Sequence, residues 1–117
     1  MKNAKPTGIS EKVIRLLDIY TMISQGRYPS VASLAEKYKS SKRTIQRYIK
    51  IIRDIDYNVE YDRERKGYKF IGIDRLKKLS LSRDEFITLL TAAEAVSHLG
   101  GGLGNAFQKL IQRLTTL

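Results

Sequence analysis

The 117-residue chain contains no cysteine, which excludes disulfide bonds and thiolate metal sites. A sequence without cysteine suits the reducing cytoplasm. Its first ten residues lack the apolar stretch of a secretory signal. No run approaches the roughly 18 apolar residues that a membrane-spanning helix needs. From these absences we expect a soluble, cytoplasmic protein that does not have a membrane as its partner.

Side chains that could carry catalysis are also scarce. His98 is the only histidine, and without cysteine or histidine partners it is a poor metal ligand. The glycines in residues 100–104 lack the GK[ST] sequence and the preceding strand of a phosphate loop, so a turn between helices explains them better. The sequence shows no Ser/His/Asp set. We therefore expect neither an enzyme nor a cofactor.

Positive charge, in contrast, is abundant and unevenly distributed. Lysine and arginine number 22 against 12 acidic residues, which gives a formal net charge of +10. Residues 1–79 hold 19 basic and 9 acidic side chains, whereas residues 80–117 hold 3 of each. Because basic side chains that neutralise phosphates release condensed counterions, a polyanionic partner for the first segment is the economical explanation. The alternative is a solvated basic surface.

Two short helices with apolar side chains at helical spacing, separated by a serine-capped break, predict a helix-turn-helix between Ser30 and Ile55. A further helix is predicted before this motif, from about Glu11 to Gln25. The second helix of the motif, Lys42 to Asp54, would turn its isoleucines inward and its cations outward. This helix is the one that could enter a DNA major groove.

After residue 57 the apolar spacing changes from helical to alternating, which predicts a β-hairpin from Asn58 to Ile71. Gly67 is free to take the positive φ that a turn of this kind can need. Arg63, Arg65 and Lys66 would form a cationic tip. A helix-turn-helix followed at once by such a hairpin is a winged helix.

The expected fold class is mainly α with a small β-hairpin, namely a winged helix-turn-helix followed by a C-terminal helical segment. In that segment a capping box at Ser82 and Glu85 begins a helix that extends to about Leu99, and a final helix follows the glycines. These helices carry more apolar surface than an antiparallel pair buries, so we expect a neighbour, either a second copy or a domain outside this chain. The predicted divisions are a flexible arm at 1–8, the winged helix-turn-helix at 9–73, a connector at 74–81, and a linker or dimerisation segment at 82–117.

Four segments carry a family pattern: RLLDIYTMI, SVASLAEKYKSSKRTIQRYI, YNVEYDRERKGYKF and LSLSRDEFITLLTAAEAV. They resemble the N-terminal part of WYL-domain transcriptional regulators, whose DNA-binding module is a DeoR-like winged helix. The resemblance covers roughly residues 9–117. It implies that the C-terminal helices link the winged helix to a ligand-sensing domain, which we do not expect within these residues.

Together these patterns predict a transcriptional regulator that binds double-stranded DNA sequence-specifically, as a homodimer formed through the C-terminal helices or an absent domain. The second helix of the motif would read the major groove, and the wing would contact the backbone or minor groove. Ser41 and Thr44, near that helix's N-terminus, suit phosphate. Two alternatives remain, a winged-helix adaptor that binds an acidic protein and a binder of single-stranded nucleic acid. The predicted DNA-binding residues are Ser41, Lys42, Arg43, Thr44, Gln46, Arg47, Lys50, Arg63, Arg65 and Lys66.

Overall fold

The computed structural model describes residues 9–56, 58–72 and 79–115. In these ranges the protein is a winged helix-turn-helix followed by two helices, which confirms the expected fold class. The predicted arm at 1–8, residue 73 and residues 74–78 of the predicted connector lie outside the described residues. The elements in chain order are α1 (Glu11–Ser24), α2 (Val31–Tyr38), α3 (Lys42–Ile55), β1 (Val59–Asp62), β2 (Gly67–Phe70), α4 (Arg83–Val96) and α5 (Leu103–Thr115).

Serine hydroxyls fix the starts of α1 to α4. At α3, Ser41 Oγ accepts a hydrogen bond of 3.1 Å from the backbone N–H of Thr44. At α4, Ser82 Oγ accepts from the Glu85 N–H at 3.1 Å, and the Glu85 carboxylate accepts from the Ser82 N–H at 2.8 Å. The predicted capping box is therefore confirmed. Each such cap contributes about 1 kcal/mol to stability. The residues next to each helix start therefore determine where the helix begins.

The break between α4 and α5 begins before the glycines, and not at them as the sequence predicts. The helix expected to reach about Leu99 ends at Val96, and α5 already begins at Leu103. Gly101 and Gly102 both adopt positive φ in the connection. Because glycine takes this conformation without a steric penalty, the two residues reverse the chain and let α5 begin at once.

One hydrophobic core joins the winged helix to the C-terminal helices. Ile45 and Ile52 of α3, Leu90 and Ala93 of α4 and Ile111 of α5 all belong to the same buried cluster. α4 packs chiefly against α1, and α5 packs chiefly against α3. Part of the apolar surface for which we expected an outside neighbour is thus buried within the chain.

Other leucines of the C-terminal segment remain exposed, one in the connection between α4 and α5 and three on α5. Leu99 is 55% exposed, Leu103 50%, Leu110 52% and Leu114 44%. The last three recur along α5 at helical spacing, so they form one stripe on its surface. We call Leu99, Leu103, Leu110 and Leu114 the leucine stripe.

The wing is anchored to α1 and to the loop between α1 and α2. β1 and β2 pair antiparallel, with Val59 opposite Phe70. The Tyr68 N–H donates a 2.8 Å hydrogen bond to the carbonyl oxygen of Pro29. The Phe70 ring packs against the Tyr20 ring, with 5.1 Å between their centroids. These contacts hold the hairpin to the helical core.

Gly67 is required by a close approach and not by the turn. The positive φ that the sequence allows at Gly67 falls instead on Lys66, at φ 57°. An added Cβ on Gly67 would lie 1.9 Å from the carbonyl oxygen of Tyr28. Only a residue without a side chain lets the hairpin approach this loop so closely.

Gly67→Ala is expected to destabilise the protein by about 1–3 kcal/mol, because the wing must move away from the backbone of Tyr28. Gly104→Ala in α5 is the matched control, since no atom beyond its own helix and chain neighbours lies within 4 Å of its added Cβ. Alanine should there leave stability unchanged or raise it by up to about 1 kcal/mol. Urea unfolding of both variants tests this, and equal midpoints would contradict the close-approach explanation.

Candidate nucleic-acid interface

α3 has one buried side and one exposed, cationic side. Ile45 and Ile52 are fully buried. At 100° per residue, Arg43, Gln46 and Lys50 lie on the opposite side of the helix, and all three are exposed. We call Arg43, Gln46 and Lys50 the α3 strip.

The predicted phosphate ligands lie at the N-terminus of α3. Ser41 and Lys42 are exposed, and Thr44 is half-buried. The hydroxyl groups of Ser41 and Thr44 lie 3.0 Å apart and are hydrogen-bonded. Because the first N–H groups of a helix and its dipole favour an anion, this end of α3 has the chemistry for a phosphate oxygen. Binding by these residues stays a prediction.

The wing tip presents the predicted cations to solvent. Arg63, Arg65 and Lys66 are all exposed. The Arg65 guanidinium lies 4.9 Å from the centroid of the Tyr28 ring, a cation–π distance. Arg65 is therefore oriented by an aromatic ring of the loop that leads into α2.

Asp62 fixes the conformation of the wing turn. Its Oδ1 accepts 2.9 Å hydrogen bonds from the backbone N–H groups of Glu64 and Arg65. Its Oδ2 lies 3.1 Å from Lys69 Nζ. The Arg65 N–H first, and then Lys69, hold the pKa of Asp62 below its usual 3.8. A lowered pKa in the folded state stabilises the turn above pH 3.8, and this contribution is lost as the pH falls through the lowered value.

The wing lies along one edge of the α3 strip. Arg53, on the exposed side of α3, donates from Nε to the carbonyl oxygen of Val59 at 3.4 Å. Its guanidinium lies 5.6 Å from the centroid of the Tyr68 ring. Since Arg53 follows Lys50 by three residues, it lies beside the strip on the helix surface. The strip and the strands of the wing are therefore neighbours, with Arg53 between them.

Arg47 lies at the strip's other edge and is held by the end of α4. Arg47 Nη2 donates to Ser97 Oγ at 3.0 Å and lies 2.8 Å from His98 Nδ1. Glu94 Oε2 is 3.8 Å away. We call Glu94, Ser97 and His98 the α4 clamp. Of the predicted site residues on α3, Arg47 is the one that the structure directs toward another helix, and its contact with DNA stays a prediction.

Sequence reasoning missed the buried carboxylate that joins α3 to the wing. Asp56, directly after α3, is fully buried. Its Oδ2 accepts from the Tyr20 hydroxyl and its Oδ1 from the Asn58 N–H, both at 3.2 Å. The only local signal is an aspartate two residues before the N–H that it binds, a common turn pattern. Its burial depends on α1, which is distant in sequence.

A cleft of about 580 Å³ lies where α1, α3 and α4 meet. Lys12 and Arg15 of α1, Thr44 of α3, Glu94 of α4 and His98 just after α4 are among the side chains that line it. Within the described ranges, no three His, Asp or Glu side chains are grouped so that they could hold a metal ion. The cleft therefore offers hydrogen-bonding and charged groups but no cation site.

An exposed cationic helix beside a β-hairpin defines a winged-helix protein. The family model described as an HTH domain matches residues 15–69, which extend from within α1 to within β2. This match supports a DNA-binding helix-turn-helix domain. No curated protein and no solved structure gives a significant match to the chain. Of the helices in the described ranges, none has both the length and the apolar character needed to cross a membrane.

Proposed function

We propose that the protein is a transcriptional regulator that binds double-stranded DNA sequence-specifically. α3 enters the major groove, and the wing contacts the backbone or the minor groove. One observation carries the proposal: the exposed α3 strip lies beside the wing, because Arg53 of α3 is hydrogen-bonded to Val59 of β1. The formal net charge of +10 supports a polyanionic partner for the strip and the wing.

The side chains of the proposed DNA-binding surface have distinct chemical abilities. Arg43 can donate two hydrogen bonds to a guanine, and Gln46 can pair with an adenine. Lys42 and Lys50 suit phosphates, because an ammonium group binds them as a point charge. Arg63, Arg65 and Lys66 at the wing suit the backbone or a narrow minor groove, where the negative potential is strongest.

The proposed regulator acts as a homodimer. A single small module buries only about 600–1,000 Å² on DNA, so useful affinity favours two copies on one site. The leucine stripe of the C-terminal segment supports this, since its side chains are 44–55% exposed. Membership of the WYL-domain regulators, with these helices as the connection to a sensing domain, and a cytoplasmic location belong to the same proposal.

Selection of bound duplexes from a random library, followed by sequencing, tests this function. We expect one enriched motif, present as a repeat or palindrome with half-sites about one helical turn apart. Affinity for the enriched duplex should fall steeply as salt rises, because the contacts release counterions. A single enriched half-site would contradict the homodimer but not the DNA-binding proposal.

Measurements of affinity at several salt concentrations also separate the two alternative functions. Preferential binding of single-stranded over duplex DNA at equal nucleotide concentration would favour the single-strand binder. An adaptor for an acidic protein should bind random duplex DNA with almost no salt-dependent affinity. Either result would overturn the proposed function.

A further inference from the structure

We propose that the α4 clamp is an autoinhibitory contact on the DNA-binding surface. In the free protein Glu94, Ser97 and His98 hold Arg47, and DNA phosphates compete for the same guanidinium. The position of α4 relative to α3 thereby sets the affinity for DNA. This inference rests on the proposed function and adds its regulation.

Arg47 is placed to join the DNA-binding surface when it is released. On an ideal helix it lies about 40° from Arg43 and about 60° from Lys50, next to the α3 strip. Its side chain is 40% exposed even while it contacts α4. A rotation of the side chain, with no movement of α3, brings the guanidinium back beside the strip.

The clamp consists of side chains whose polar atoms are already oriented. The Ser97 hydroxyl donates to the Glu94 carbonyl oxygen at 2.6 Å, which turns its lone pairs toward Arg47 Nη2. His98 Nε2 lies 2.6 Å from Glu94 Oε2. Arg47 Nη2 also lies 2.6 Å from His98 Nε2, so the guanidinium and the Glu94 carboxylate meet at the same ring nitrogen. The contacts therefore form one network around the guanidinium.

Charge explains why the network opposes DNA binding. The Glu94 carboxylate neutralises part of the positive charge of Arg47, and it also places a negative charge beside a surface that should meet phosphates. An ion pair at this exposure is weak, so a strongly anionic ligand can displace it. The expected inhibition is accordingly about threefold to tenfold and not an on–off switch.

The clamp connects the DNA-binding surface to the connection between α4 and α5. Ser97 and His98 directly precede Leu99 and the glycines at 100–102. Leu99 belongs to the exposed leucine stripe. A molecule that covers Leu99 would therefore contact the segment that carries the clamp, which gives this segment a physical means to change DNA affinity.

Glu94→Gln tests the clamp in the full chain, with the duplex recovered by selection as the probe. Asp84→Asn is the matched control, because it removes one negative charge from the opposite end of α4. Affinities of both variants are measured with and without Arg47→Ala. We expect Glu94→Gln to bind DNA about threefold to tenfold more tightly than Asp84→Asn, and we expect this difference to vanish when Arg47 is alanine.

Suppose that Glu94→Gln and Asp84→Asn bind the duplex with equal affinity and the unaltered protein still binds it. This result would overturn the clamp and leave the proposed function intact. A gain that persists without Arg47 would also overturn it, since the carboxylate would then act on DNA directly. Weaker binding by Glu94→Gln would overturn it as well, since Glu94 would then orient Arg47 for DNA. If the unaltered protein itself showed no salt-dependent binding to the duplex, the proposed function would be overturned instead.

Discussion

Replacing Arg43, Gln46 and Lys50 together by alanine is expected to lower affinity for the selected duplex by a factor of about 10²–10⁴. Each well-placed contact to a base contributes about 1–3 kcal/mol of discrimination, and the two cations also contribute salt-dependent attraction. All three side chains are exposed, so folding should be unaffected. Fluorescence anisotropy measures the affinity, and the salt slope should become shallower by up to about two.

The control for this triple variant is Arg83→Ala combined with Lys109→Ala. It removes the same number of positive charges from exposed positions on α4 and α5. If charge alone attracted DNA, both variants would lose the same affinity. The proposed function requires the α3 variant to lose far more and also to discriminate less between the selected duplex and a random one.

Asp56→Ala is expected to lower the free energy of unfolding by about 2–5 kcal/mol. The substitution removes the carboxylate to which the Tyr20 hydroxyl and the Asn58 N–H donate hydrogen bonds. It also leaves a cavity at a fully buried position. Because Asp56 lies between α3 and β1, the wing should also lose its fixed position against α3. Urea unfolding measures the change in stability.

Asp54→Ala provides the comparison for Asp56. Asp54 lies two residues earlier in the chain, and its carboxylate contacts the largely exposed ammonium group of Lys50 at 3.5 Å. Such a pair contributes at most about 1 kcal/mol. Equal losses of stability in the two variants would contradict a special structural role for the buried carboxylate.

Local features explain why much of the fold could be predicted from sequence. The serines at the starts of α1 to α4 and the apolar spacing of α3 depend only on a few neighbouring residues. The bounds of α3 accordingly differ from the prediction by only one residue at its end. The inward direction of Ile45 and the exposure of Arg43 follow from helical geometry alone. The same holds for the hairpin, whose alternating pattern predicts its strands.

Long-range contacts explain what the sequence did not reveal. Arg47 meets Ser97 and His98 only because α4 packs against the helical core, and they lie 50 and 51 residues apart in the chain. The requirement for glycine at position 67 arises from the backbone of Tyr28 across the fold. No pattern around Arg47 or Gly67 encodes these neighbours, because periodicity reports which side of an element is buried and not what covers it.

Chemical-shift mapping tests the central claim most directly. The ¹⁵N-labelled protein is titrated with the selected duplex, and the shift of each backbone amide is followed. The account predicts that the largest shifts fall on residues 41–50 of α3 and residues 63–66 of the wing. Shifts concentrated on the leucine stripe, with α3 and the wing unchanged, would contradict the claim that this cationic surface binds DNA.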